Sequence, residues 1–152
     1  MFEQSLAISR EIGHRVGVAG SLNNLGLIAD LRGDLAEAER LFKESLAIER
    51  EIGDRSAEAD SLRNLGYIAE KRGDLAEAER LYQKSLAINR EIGHRLGEAD
   101  SLNNLGNIAQ KRGDLAEAKQ LHLQSLAIMQ EIGIPVDDQV RLLFEWTLRG
   151  SF

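Results

Sequence analysis

A chain of 152 residues, 43% apolar, 29% charged and only 5% aromatic, suits one soluble domain with an aliphatic core and is short of two. Its net charge of −6 excludes the concentrated basic surface that nucleic acid needs, and the absence of cysteine removes disulfides and thiolate metal sites. No apolar run approaches the ~20 residues of a membrane helix, and Met-Phe-Glu-Gln-Ser is no signal peptide, so the expected location is cytoplasmic.

Residues 1–13 read as the second half of a unit that then recurs. Ser-Leu-Ala-Ile stands at Ser5, Ser45, Ser85 and Ser125, and Arg-Gly-Asp-Leu-Ala-Glu-Ala at Arg32, Arg72 and Arg112. Aligning residues 14–53, 54–93 and 94–133 gives 27 identities in 40 for each pair, without gaps. Such self-similarity marks a repeat protein whose units are stable only when stacked.

The middle unit shows the pattern. A first helix is predicted over residues 55–72, where Leu62, Leu65, Ile68 and Ala69 recur at three- and four-residue spacing. Asp54 caps its start and Gly73 ends it. Asp74 then caps a second helix running to about residue 92, and Glu77, three residues on, completes a capping-box pattern. That helix carries Leu75, Ala78, Leu81, Tyr82, Leu86, Ile88 and Ile92 on its apolar face. The short Gly-Asp joint makes the pair antiparallel, and Gly66 and Ala78 are the expected points of close approach. After residue 133 the period breaks. Residues 137–149 read as one more helix, with Val140, Leu143, Phe144 and Thr147 as a packing face and Leu142 and Trp146 left over.

At these residues the chain resembles the tetratricopeptide repeat family. Leu62, Leu65-Gly66, Gly73-Asp74-Leu75, Ala78 and Tyr82 match its pattern, as do their counterparts one repeat earlier. In the third repeat His122 replaces the late aromatic, and Arg50, Arg90 and Gln130 stand where a proline is usual. The usual unit has 34 residues. The 40-residue form is similar to the Leu-Gly-Asn repeat proteins and to bacterial signalling arrays. The resemblance implies an all-α, right-handed superhelical solenoid of antiparallel helix hairpins. It would comprise a partial repeat at 1–13, full repeats at 14–53, 54–93 and 94–133, and a C-terminal capping helix in 134–152.

The resemblance further implies a concave groove, lined by the first helices, that takes an extended or helical peptide. Its positions carried over here are Gly20, Asn23, Asn24, Leu27 and Leu31, then Asp60, Arg63, Asn64, Tyr67 and Lys71, then Asp100, Asn103, Asn104, Asn107 and Lys111. Most differences among the first helices fall in this set. Asn24, Asn64 and Asn104 are the exception, and an amide that both donates and accepts suits a peptide main chain. They are equally readable as bonds to a neighbouring helix. Arg63, Lys71 and Lys111 suit a carboxylate, although Asp30, Asp60, Glu70 and Asp100 lie in the same register.

Two functions therefore stand side by side: a protein- or peptide-binding adaptor, and a self-assembling module joined through its ends. For the second, Phe2, Leu6 and Ile8 would form a bare edge, with Leu142 and Trp146 as possible mates. A fragment or an engineered array without an evolved ligand is the further alternative. No enzyme, cofactor or metal is expected. His14, His94 and His122 lie far apart in sequence, the repeated serines have no histidine in register, and the Arg-Gly-Asp triplets are helix joints.

Overall fold

Six glycines with φ between 70° and 82°, from Gly33 to Gly133, stop one helix after another. A β-carbon is strained in that left-handed region, so these positions end helices rather than continue them. The computed structural model describes residues 2–11 and 14–135; the helix expected near residues 137–149, with Leu142 and Trp146, lies outside the described residues. Seven helices and no strand occur among the described residues. They are α1 (Phe2–Glu11), α2 (Arg15–Leu31), α3 (Leu35–Ile52), α4 (Arg55–Lys71), α5 (Leu75–Glu91), α6 (Arg95–Lys111) and α7 (Leu115–Glu131). The predicted boundaries of the middle repeat agree with α4 and α5 to within one residue. This is an all-α helical repeat fold.

The turn inside each hairpin has one geometry. Asp74 N donates to Ala69 O at 2.9 Å and Gly73 N to Glu70 O at 2.9 Å, the paired bonds of a Schellman turn. Asp74 Oδ1 then accepts from Glu77 N at 3.1 Å, and Asp34 and Asp114 repeat the arrangement. The capping box expected here is only half formed. Asp74 N already serves the preceding helix, so the Glu77 carboxylate turns outward and takes Arg80 at 2.5 Å.

The chain divides into two compact units, residues 1–88 and 89–152. In the first, α1 packs on α2, α2 on α3 and α3 on α4. Its largest enclosed side chains are Phe42 and Tyr82, followed by Leu22, Leu62 and Ile68. Each such side chain contributes about 1.5–3 kcal/mol by leaving water. Gly26 and Gly66 make room for the two rings. A Cβ on Gly26 would stand 2.7 Å from Phe42, and one on Gly66 2.6 Å from Tyr82. Gly66 thus serves a ring rather than a bare backbone contact, while Ala78 is wholly enclosed as expected.

The repeated serines prove to be more than small. Ser45 Oγ donates to Ala19 O and Ser85 Oγ to Ala59 O, each at 2.9 Å, tying the two helices of a hairpin in the dry interior. In the second unit, α6 packs on α7 and Ser125 Oγ donates to Ala99 O at 2.7 Å. There His122 fills the ring position over Gly106, within 2.9 Å of where a Cβ would be. Its Nδ1 lies 3.0 Å from Asn103 Oδ1. An amide oxygen only accepts, so the ring nitrogen is the donor.

Candidate binding surface

On α2 and α4 the buried residues recur on one side, which leaves a second side free of packing. Two cross-links set these sides next to each other. Asn64 Nδ2 donates to Asn23 Oδ1 at 3.1 Å, and Lys71 Nζ reaches Asp30 Oδ1 at 2.5 Å. Between the links, in sequence, lie Leu27 on α2 and Tyr67 on α4, 43% and 50% exposed. Leu31, at the end of α2, is 87% exposed. The result is an apolar strip bracketed by polar bonds.

Of the residues expected to line a groove, the links join Asn23 to Asn64 and hold Lys71 against Asp30, with Leu27 and Tyr67 between them in sequence. Asn24 is exposed and Asn64 half-buried. The asparagines are not equivalent, because Asn64 commits one amide hydrogen to Asn23. The basic residues are engaged as well: Arg63 faces Asp60 at 3.5 Å and Lys71 holds Asp30. An incoming carboxylate would have to displace these partners. Below the face, Tyr82 donates to Glu70 Oε1 at 2.9 Å. Burial, together with the Glu70 carboxylate, pushes the phenol pKa far above its usual range, so it remains a donor.

In the second unit, Asp100, Asn103, Asn104 and Asn107 on α6 are half-buried and Lys111 is exposed. Here Asn103 accepts from His122, which makes it part of the hairpin interior as much as of a surface. Sequence pattern could not show this, since Asn103 and His122 are 19 residues apart and meet only through the hairpin. His14 and His94 sit at helix starts, where neither makes a side-chain capping bond. Among the described residues no cluster of His, Asp or Glu is arranged to hold a metal ion, and no helix is long and apolar enough to cross a membrane.

A profile described as tetratricopeptide repeat matches residues 1–51 and 57–131, most of the chain. The chain belongs to the tetratricopeptide repeat family. Solved structures agree on the fold of this repeat protein. It is similar to BtubC (BKLC) from P. vanneervenii, with a TM-score of 0.78 and 20% identity, covering 99% of this chain and 66% of that one. It thus spans slightly less than two thirds of that relative's length. A kinesin-light-chain-like protein of Podosopora anserina with nearly identical TPR-like repeats gives 0.72 and 22% identity, over 97% of this chain and 72% of that one. The N-terminal domain of stress-induced protein-1 from C. elegans gives 0.70 and 18%, over 88% and 97%. No curated protein sequence matches the chain. At these identities the likeness is one of fold.

Proposed function

We propose that this tetratricopeptide repeat protein is a non-catalytic adaptor that binds a protein segment along the first-helix face. The observation that carries this reading is the solvent exposure of Leu27, Leu31 and Tyr67 beside the Asn23–Asn64 link. Apolar groups left in water next to amides suit a peptide that buries side chains and pairs its main chain. In the first unit Asn24 and Asn64 supply the pairing groups and Asp60, Arg63 and Lys71 tune selectivity. Asn104, Asp100, Asn103, Asn107 and Lys111 are the corresponding candidates of the second unit taken by itself. The net charge of −6 favours a protein partner over nucleic acid.

The test is selection from a random peptide display library on the immobilised chain, followed by variants. Leu27→Glu with Tyr67→Glu abolishes capture of the selected peptides while the helical melt is retained. The triple change of Asn24, Asn64 and Asn104 to Ala does the same through lost pairing. Capture that survives both sets would sink the reading.

A second reading, self-assembly, draws on α1, where Phe2 and Ile8 are exposed and Leu6 is half-buried. Light scattering across a wide concentration range separates the two. A stable dimer reduced to monomer by Phe2→Glu with Leu6→Glu supports assembly, and a monomer at all concentrations removes it.

A further inference from the structure

The first unit also carries a cleft away from the proposed peptide face. It measures about 370 Å³ and is walled by α3 and α5, with α4 as its floor. At 100° per residue, Leu62, Leu65 and Ala69 on the floor lie about 100° or more around α4 from Asn64, Tyr67 and Lys71, while Ile68 stands at the boundary between the two surfaces. Leu46, Leu65, Ala69 and Leu81 form the apolar bottom, each 6–8% exposed.

The rim is basic although the chain is acidic. Lys43, Arg50, Arg72, Arg80 and Lys84 line the cleft against Glu39, Asp74 and Glu77. These carboxylates are already occupied. Glu39 serves both Lys43 and Arg72, Glu77 is held by Arg80, and Asp74 caps α5. Lys84 is in no ion pair among the described residues.

An internal comparison isolates the charge. One repeat earlier, α1, α2 and α3 enclose a cleft of about 380 Å³ with the same kind of floor. There Glu3 and Glu44 stand at the repeat positions of Lys43 and Lys84, and carboxylates outnumber cations. The repeat has kept the shape and reversed the sign.

We propose that the α3–α4–α5 cleft is a second docking site, which takes an acidic peptide segment by one aliphatic side chain flanked by carboxylates. The aliphatic group fills the space over Leu46 and Leu65, and the flanking carboxylates meet Lys43 and Lys84. Neither the first-helix face nor its ligand is involved.

The test uses the full chain and two synthetic capped pentapeptides, one Leu flanked on each side by two Glu, and the same Leu flanked by Lys. Amide chemical shifts are followed by NMR during titration. The acidic peptide produces saturable shifts centred on Lys43, Ala47 and Lys84, which weaken as salt is raised. Lys43→Glu with Lys84→Glu lowers the affinity about ten-fold or more, roughly what reversing two rim charges removes, with the helical melt unchanged. Binding would be overturned by equal affinity of the variant, by equal binding of the lysine peptide, or by shifts centred on Leu27 and Tyr67. Equal affinity for an all-Glu peptide or a short oligonucleotide would also overturn it, because the apolar floor would then play no part.

Discussion

The ring of Tyr82 occupies the space that a side chain on Gly66 would need, with Cε1 2.6 Å from the nearest Cβ position. The contact joins the two helices of one hairpin and is anchored from the other end of the ring by the bond from the hydroxyl to Glu70. Gly66→Ala gains helix propensity of up to ~1 kcal/mol but forces an enclosed ring to move, so a net loss of about 1–3 kcal/mol is expected. Gly20→Ala is the control. Gly20 lies in α2 with nothing within 4 Å of its Cβ position, and the same change there should stabilise by up to ~1 kcal/mol. Urea melts of the two variants should move in opposite directions; a common direction would contradict this geometry.

Helix starts offer a second test. Asp54 accepts from Ala57 N at 3.1 Å, whereas His94, with nearly the same backbone angles, makes no capping bond. His94→Asp should therefore stabilise by about 0.5–2 kcal/mol, and Asp54→Ala should cost a similar amount. A thermal melt of His94→Asp at or below that of the parent would show that the loop, not the cap, limits α6.

Glu49 is enclosed in α3 and makes no ion pair among the described residues. Its Oε1 is 2.8 Å from Ser45 Oγ, and that hydroxyl also lies 2.9 Å from Ala19 O. One hydroxyl has one proton, and a carbonyl only accepts. The single Ser45 proton is therefore shared between the Glu49 carboxyl and the Ala19 carbonyl. Burial pushes its pKa up, Ser61 and Ser45 pull it down, and Asp54 and Asp60 push it up further. With the folded value raised, the folded state binds the proton more tightly than the unfolded chain does. The stability from this group is thus complete below the ordinary carboxylate range and is lost as pH rises through the folded value. Glu49→Gln should flatten that decline and raise the melting temperature at neutral pH. An unchanged slope of stability against pH would place the titrating group elsewhere.

His122 has the opposite sign. Burial lowers its pKa below the ordinary 6.5, so the folded state resists the proton. Its contribution is present above that value and is lost as pH falls through the lowered one. His122→Phe, the residue type at the matching place in the first full repeat, should remove this acid-side loss. At pH about 5 the variant should melt above the parent, and calorimetry on both proteins checks it.

Much of this was legible because the signals are local. Apolar spacing, the Gly-Asp joints and the capping aspartates act within about four residues of themselves, so the helices and the caps of Asp34, Asp54, Asp74 and Asp114 could be read directly. The second half of the capping box could not. Whether Glu77 turns back or outward depends on Asp74 N, which the preceding helix had already claimed. The candidate face was readable as a set of variable positions, but not the division of labour within it. That Asn64 bonds Asn23 and Asn103 bonds His122 follows from how helices lie together.

By itself, then, the sequence determined the repeat, the hairpin, the helix ends and the apolar face, because these follow from backbone preferences and periodicity along one segment. Only the tertiary structure decided which polar groups are spent on the fold and which are left for a partner. Ser45 meets Ala19 across 26 residues, and Lys71 meets Asp30 across 41. The strength of such pairings is set by distance and burial, and stacking alone supplies both.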